Sequence, residues 1–411
     1  MASINPAKRQ KTGESAESVF VYTGAGCSVP KDVVCVKFDP SVVAIAKEAF
    51  EGCRQLREVV LNDGLQKIGY HAFYTCTSLQ GITLPSSITE IGPASFDNCE
   101  ILREVVINDG LQKIGGAAFG NCKSLESIKF PSTVLKIGYH AFYNCKNLRE
   151  LILTDGLQKI GGYAFSNCKS LVSISVPSTI TEIGNYAFQG CESMRVVVLN
   201  DGLQKVGKYA FGDCKSLESI TLPSSITEIC DCTFYNCKYL REIVLNDGLQ
   251  KIGRSAFHNC KSLESISVPS TVLQIGDCAF ARCESLREVM LHGEITEIVY
   301  RAFRKCESLE AFRFPTLSSR LGGIACHWGE LNNKVEKVRG VVQWEDGELF
   351  VPPAAMEERR NRDSINSILC KIEMLSSLAL LELALWKCCI DVPGPVKDVI
   401  LEYVYPQSNQ E

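Results

Sequence analysis

The sequence predicts an α/β repeat solenoid: a curved parallel sheet whose strands are joined by short helical turns, closed at its C-terminal end by a helical segment. Three observations carry this. Phenylalanine recurs at Phe50, Phe73, Phe96, Phe119, Phe142, Phe165, Phe188, Phe211, Phe234, Phe257, Phe280 and Phe303, always 23 residues apart, with a cysteine three residues later from Cys53 to Cys306. Apolar residues hold constant places between those marks, so no copy can bury its own apolar side and neighbours must stack. From Asp363 to Trp386 the apolar spacing becomes helical.

Residues 1–18 are polar and small and are expected to form a disordered tail without the apolar core of a secretory signal. Lys8-Arg9-Gln10-Lys11 in this tail reads either as solvated chain or as a weak nuclear import signal. Val19-Phe20-Val21-Tyr22 reads as an edge strand that caps the array. Thr23-Gly24-Ala25-Gly26 superficially resembles a phosphate loop, but without the full glycine spacing and a Lys-Ser/Thr pair it reads as a turn. Val33 to Phe38 aligns one period before Leu56 and forms a degenerate first coil. The solenoid is expected over residues 19–321, as about 12–13 coils including that cap.

One coil shows the physics. Leu56 to Leu61 follows L-x-x-L-x-L with Val59 in the middle slot, and Val59 and Leu61 are expected to point inward from a short strand. Asn62-Asp63-Gly64 is turn chemistry. Leu65 and Ile68 return to the core and Gly69 bends the chain again. Ala72-Phe73 and Cys76 have the spacing of a single helical turn.

A second period lies over the first. Residues 56–78 match 102–124 at 17 of 23 positions and match 79–101 at only 6, so the unit of duplication is a pair of coils. Odd coils carry Asn/Thr-Asp-Gly-Leu-Gln-Lys at the turn; even coils carry Pro-Ser-Ser/Thr, from Pro85 to Pro269. Proline after a strand removes a donor where pairing stops. Two columns alternate in charge along the pairs. One runs Arg57, Gln80, Arg103, Glu126, Arg149, Val172, Arg195, Glu218, Arg241, Glu264, Arg287 and Glu310; the other runs Lys67, Glu90, Lys113, Lys136, Lys159, Glu182, Lys205, Glu228, Lys251 and Gln274. Both read as structural, because alternation relieves the repulsion that identical stacked coils would suffer. The run Lys113, Lys136, Lys159 breaks the rule.

After Phe314-Pro315 the pattern decays. Residues 322–362 are expected to be an irregular connector with a hairpin, its arms Val341–Trp344 and Leu349–Val351 flanking Asp346-Gly347. Residues 363–411 are expected to be a helical cap, with Asp363 at the N-cap and Ile365, Ile368, Leu369, Ile372 and Leu375 along one side. Such a segment covers the last open rung or recruits a partner.

The motif L-x-x-I-x-L/V-P-x-S/T-I/V-x-x-I-G-x-x-A-F-x-x-C, complete from Leu171 to Cys191, resembles the BspA-like branch of the leucine-rich repeats over about residues 33–321. Ser95 departs from it by replacing the alanine before Phe96, and Gly64 or a serine stands near where an asparagine ladder is expected in commoner leucine-rich repeats. The resemblance implies an open curved solenoid that binds proteins or glycans, often on a cell surface.

Composition sets limits on function. Hydrophobic content of 45%, 22% charged residues and a net charge of −4 suit a folded soluble chain. A nucleic-acid binder is not indicated, since that calls for a basic stripe. The most apolar run, Leu375 to Trp386, is interrupted by Glu382 and does not suit a membrane span. Twenty-one cysteines in a long chain without a secretory signal favour reduced thiols in the cytoplasm or nucleus; the cell surface is the alternative. The laddered Phe-x-x-Cys thiols read as core packing. Cys230-Asp231-Cys232 and Cys388-Cys389 lack a second pair at zinc-like spacing, and His71, His140, His258, His292 and His327 scatter, with the first three expected at solvent. No catalytic, cofactor-binding or metal-binding residue is assigned.

The expected binding surface is the exposed side of the strand sheet. Its candidate residues are Glu58, Val60, Glu104, Val106, Glu150, Ile152, Val198, Glu242, Val244 and Met290, with small residues such as Ser173 and Ser175 on the intervening even coils. The expected function is a non-enzymatic scaffold binding a protein partner along this strip; the alternative is a cell-surface adhesin.

Overall fold

The computed structural model describes residues 19–292, 297–298, 301–309, 311–313, 343–345 and 348–351. Each coil contributes a strand of three or four residues to the front and a strand of two residues to the back. Glu58–Val60 with Lys67–Ile68, and Glu150–Ile152 with Lys159–Ile160, are examples. All strand pairs between successive coils are parallel and in register at the 23-residue offset, as in Ser173↔Val196 and Lys159↔Glu182.

Between front and back lies one continuous core. Val59, Leu65, Ile68, Phe73 and Cys76 are buried, as are their counterparts in successive coils. The phenyl rings stack face to face along the axis at 5.1 Å for Phe73–Phe96 and 5.3 Å for Phe142–Phe165. The strand Val19–Tyr22 pairs with Cys35–Phe38 and caps the first coil. Tyr22 closes the aromatic column 5.1 Å from both Phe38 and Phe50, and its hydroxyl accepts the Ala46 N–H at 3.2 Å. Thr23 to Gly26 turns through two positive-φ glycines. Towards the C-terminus, Gln343–Glu345 and Glu348–Val351 pair antiparallel, and the second also pairs with Ala311–Arg313. Residues 363–411, expected to be helical, lie outside the described residues.

The short helical turns expected at Ala-Phe-x-x-Cys are not helical. Two residues in each coil take left-handed backbone, two before and two after the phenylalanine, as at His71 (φ 53°) and Thr75 (φ 58°). The N–H groups then alternate in direction. Ala72, Tyr74 and Cys76 donate to carbonyls three residues back, whereas His71, Phe73 and Thr75 donate forward to Pro93, Ser95 and Asp97 of the next coil. A helix would direct every bond along the chain and leave the coil edges unpaired. Asparagine tolerates the left-handed region, and Asn98, Asn121, Asn144, Asn167, Asn236 and Asn259 occupy the second such position.

Pairing of coils is visible on the front. Through the middle of the array ladders join even to odd strands, Ser127–Lys129 with Glu150–Ile152 and Ser219–Thr221 with Glu242–Val244, in separate two-stranded ribbons, whereas near the end Glu288–Leu291 also pairs with Ala311–Arg313. Proline at the even turns removes the N–H that would bond back to the preceding odd coil. Odd coils instead send an asparagine back: Asn200 Nδ2 donates to Pro177 O at 2.7 Å and Ile180 O at 3.2 Å, and Asn246 repeats the contact. An asparagine ladder is therefore present on alternate coils, with Thr154 Oγ1 donating to Phe130 O where one asparagine is replaced.

On the back, eight two-residue strands from Ala44–Ile45 to Lys205–Val206 form one unbroken sheet, which stops before Glu228–Ile229. A glycine follows every one of these strands but the first, which Ala46 follows, and lets the backbones approach. A Cβ on Gly184 would lie 2.6 Å from Gly162 N, and one on Gly207 2.6 Å from Asn185 N. Cys230 occupies the next place in this glycine column. Among the described residues, Gly184 and Gly207 donate to Ile160 and Ile183, but no bond joins the Cys230 N–H to Val206. The phenyl stack widens here, to 5.7 Å for Phe188–Phe211 and 5.8 Å for Phe211–Phe234.

Candidate functional site

The front strands alternate inward and outward, so each odd coil presents two residues to solvent over a buried one. Glu58, Val60, Glu104, Val106, Glu150, Ile152, Val198, Glu242 and Val244 are all exposed; Met290, expected with them, is half-buried. On even coils the equivalent places hold Ser173 and Ser175, Ser219 and Thr221, Ser265 and Ser267. The surface is corrugated: odd coils make ridges and even coils make furrows floored by small hydroxyl residues. Lys129 stands in one furrow and interrupts the series.

The two charge columns behave differently. On the back, Glu90 lies 2.9 Å from both Lys67 and Lys113, and Glu182 lies 2.5 Å from Lys159 and 3.5 Å from Lys205. Hydrogen bonds from these lysines hold both carboxyls below the usual glutamate range. Lys113, Lys136 and Lys159 do adjoin in register, and Lys136 has no ion pair among the described residues. At the front corner the expected pairing is missing. Arg103, Arg149, Arg195, Arg241, Glu126, Glu218 and Glu264 are exposed, and none is within ion-pair distance of an opposite charge among the described residues. These seven residues are therefore charge left available at the rim of the strand face and do not form a ladder of ion pairs.

The repeat breaks in the middle of this face. Val172 stands where the even coils on either side carry Glu126 and Glu218, and Val196 where the other odd coils carry glutamate. Val172 is 45% exposed, and Val196 and Val198 are each 53% exposed. Arg149 and Arg195 stand on either side of Val172 in its column, and the Arg195 N–H donates to Val172 O at 2.8 Å. Sequence reading placed these two valines in their columns without joining them. The signal was there, as two acidic places lost on adjacent coils.

The remaining chemistry is structural. The thiols of Cys76, Cys99, Cys145 and Cys191 donate to the carbonyls of Phe50, Phe73, Phe119 and Phe165 in the preceding coil at 3.2–3.3 Å. Burial pushes the Cys99 and Cys191 thiols well up, and pushes Cys306 up to about 12, away from reactive thiolate. The histidines near the phenylalanine turn are half-buried in aromatic contacts. His71 stacks between Tyr70 and Tyr74 at 3.8 and 4.4 Å, and His258 stacks on Tyr235 at 5.1 Å. His140 begins a run through Tyr163 and Tyr186 to Tyr209, whose rings lie 4.4 to 4.8 Å apart. Glu48, Glu51 and His71 bring three potential metal ligands within 4.8 Å of one another, but Lys47 already sits 3.2 Å from Glu48. Among the described residues no helix is long and apolar enough to cross a membrane.

Comparison with known proteins agrees with this geometry. The model of the BspA type leucine rich repeat region matches residues 31–149, 113–241 and 204–325. A leucine-rich repeat protein from Bacteroides ovatus is similar in structure, with a TM-score of 0.59 and 24% identity over 75% of this chain and 93% of that one. A leucine rich cell surface protein from Faecalibacterium prausnitzii has a TM-score of 0.47 at 26% identity, covering 75% of this chain and 93% of its own. No curated protein matches the chain.

Proposed function

The chain belongs to the BspA type leucine rich repeat family, and from that premise we propose that it is a non-enzymatic scaffold that captures a protein partner on its exposed strand face. The observation that carries this reading is the regular exposure of Val60, Val106, Ile152, Val198 and Val244 on a face whose alternate residues are buried. Apolar rows bordered by charge suit a protein surface. Nothing in this arrangement asks for a nucleophile or a cofactor. The partner is a protein and not nucleic acid, since the chain carries a net charge of −4 and the arginine column alternates with glutamate.

We place the chain in the cytoplasm or nucleus. The laddered sulfurs donate to carbonyls, which suits thiols in a reducing compartment. Family membership favours the cell surface as the alternative, and protease accessibility on intact cells separates the two. The central test is a crosslinking pull-down from the native source with the full chain and with Ile152→Asp combined with Val198→Asp. The double variant is expected to lose the captured protein while its thermal unfolding stays nearly unchanged. Capture that survives the substitutions removes this face as the site.

A further inference from the structure

We propose that the centre of the strand face seats an amphipathic helix with acidic flanks, laid along the solenoid axis. This rests on the reading above that the strand face binds protein. The front ribbons stack directly on one another, coil on coil, and leave no room for an added β-strand between them, so the occupant must be recognised through side chains. Ridges and furrows alternate coil by coil. Successive furrows therefore lie two rungs apart, about 10 Å at the usual strand spacing. An α-helix repeats one side every seven residues, a rise of about 10.5 Å. A helix with one large apolar residue per heptad drops a side chain into each open furrow, first at Ser173 and Ser175, then at Ser219 and Thr221. Ile152 and Val198 wall the first of these furrows.

Charge chooses among such helices. Arg149 and Arg195 are exposed, have no ion pair among the described residues, and hold Val172 between them where a neighbouring coil has glutamate. Val196 removes a second acid from the same neighbourhood. Across the coils from Leu148 to Ser216 the front columns carry two arginines and the single acid Glu150, so this stretch prefers a carboxylate-bearing partner. Lys129 blocks the furrow before it, which sets where the helix begins.

The probe is a fluorescein-labelled 21-residue helical peptide, about three heptads, with leucine at heptad spacing and glutamate on both flanks. Two controls carry lysine on the flanks, or the same residues with leucine every fifth place. Anisotropy with the full chain is expected to show the acidic heptad peptide binding at least about ten-fold tighter than either control. Val172→Glu with Val196→Glu restores the acids carried by the neighbouring coils; it is expected to weaken binding by at least about ten-fold without moving the thermal midpoint. Equal binding of acidic and basic peptides, no binding of any peptide, or an unaffected variant overturns the proposal. So does self-association of the chain that this variant abolishes, which makes a second copy the occupant. If the peptides fail while Ile152→Asp with Val198→Asp still stops protein capture, only the helix falls; if capture also survives, the strand-face reading falls with it.

Discussion

The step from Gly184 to Gly207 and the step from Gly207 to Cys230 join coils of nearly the same composition, yet only the first is closed on the back of the solenoid. In the first, Glu182–Ile183 and Lys205–Val206 pair, and the Gly207 N–H reaches Ile183 O at 2.9 Å. In the second the back sheet ends, while the turn side remains joined through Phe211 N to Thr233 O at 2.9 Å. In the glycine column one side chain distinguishes them, that of Cys230. A Cβ in the glycine column meets backbone at 2.6–2.9 Å along this array, so the Cys230 coil has to stand away from its predecessor. The rings stay stacked across both steps, at 5.7 and 5.8 Å, so the break is confined to the back and goes with the Cβ in the glycine column, not with the spacing of the core.

The largest effect should come from the rings. Phe165 stacks at 5.3 and 5.4 Å on its two neighbours, and Phe165→Ala is expected to cost about 3–5 kcal/mol in chemical denaturation. Phe211, with looser contacts at 5.7 and 5.8 Å, should lose less on the same substitution; equal losses would mean that the wider spacing carries no slack. A reciprocal pair of variants comes next. Gly161→Ala puts a methyl 2.7 Å from Gly138 backbone and should open a second seam, costing about 1–3 kcal/mol. Cys230→Gly should close the existing one, with a gain of about 0.5–2 kcal/mol and slower hydrogen exchange at residues 227 and 230. Unchanged exchange there would clear Cys230 of causing the break.

The smallest expected effect is electrostatic and belongs to the closed side. Glu182 is held below its ordinary value of 4.5 by Lys159 and Lys205. A depressed folded value contributes stability that is present above the unfolded value and lost as pH falls through the folded one. Glu182→Gln should therefore flatten the acid limb of the stability profile near and below that range, by no more than about 1 kcal/mol given the exposure of the lysines. An unchanged acid limb would show that the lysine column does not help close the back sheet.

Much of this architecture was legible in the residues. The 23-residue period, the buried columns and the pairing of coils all follow from repeats of Leu, Ile, Phe and Cys that stacking must bury. Two features were hidden for physical reasons. The back strands are two residues long, too short to show a period of two, so Ile68 was legible as a core residue but not as part of a strand. Phe and Cys three apart suit a helical turn as well as this left-handed fold, and only the recurring Asn before Cys, as at Asn121 and Asn144, distinguishes them. Cys230 was seen beside Cys232 as a possible ligand pair; its meaning lay in the glycine it displaces. In the binding face, the exposed rows were readable from alternation, but the missing Arg–Glu contacts depend on side-chain directions that a column of letters does not contain.

The pairing of coils also bears on how such a gene changes length. On the front, ladders tie each even coil to the odd coil after it, helped by side-chain bonds such as those of Asn200 and Asn246, and proline leaves the next junction with fewer bonds. A cut at that junction removes or adds two coils, keeps every column in phase, and rejoins an odd coil to an even one. Unequal exchange between near-identical copies breaks and joins in the same units. The array can lengthen or shorten by whole pairs across generations, adding ridges and furrows to its face without any new residue having to be invented.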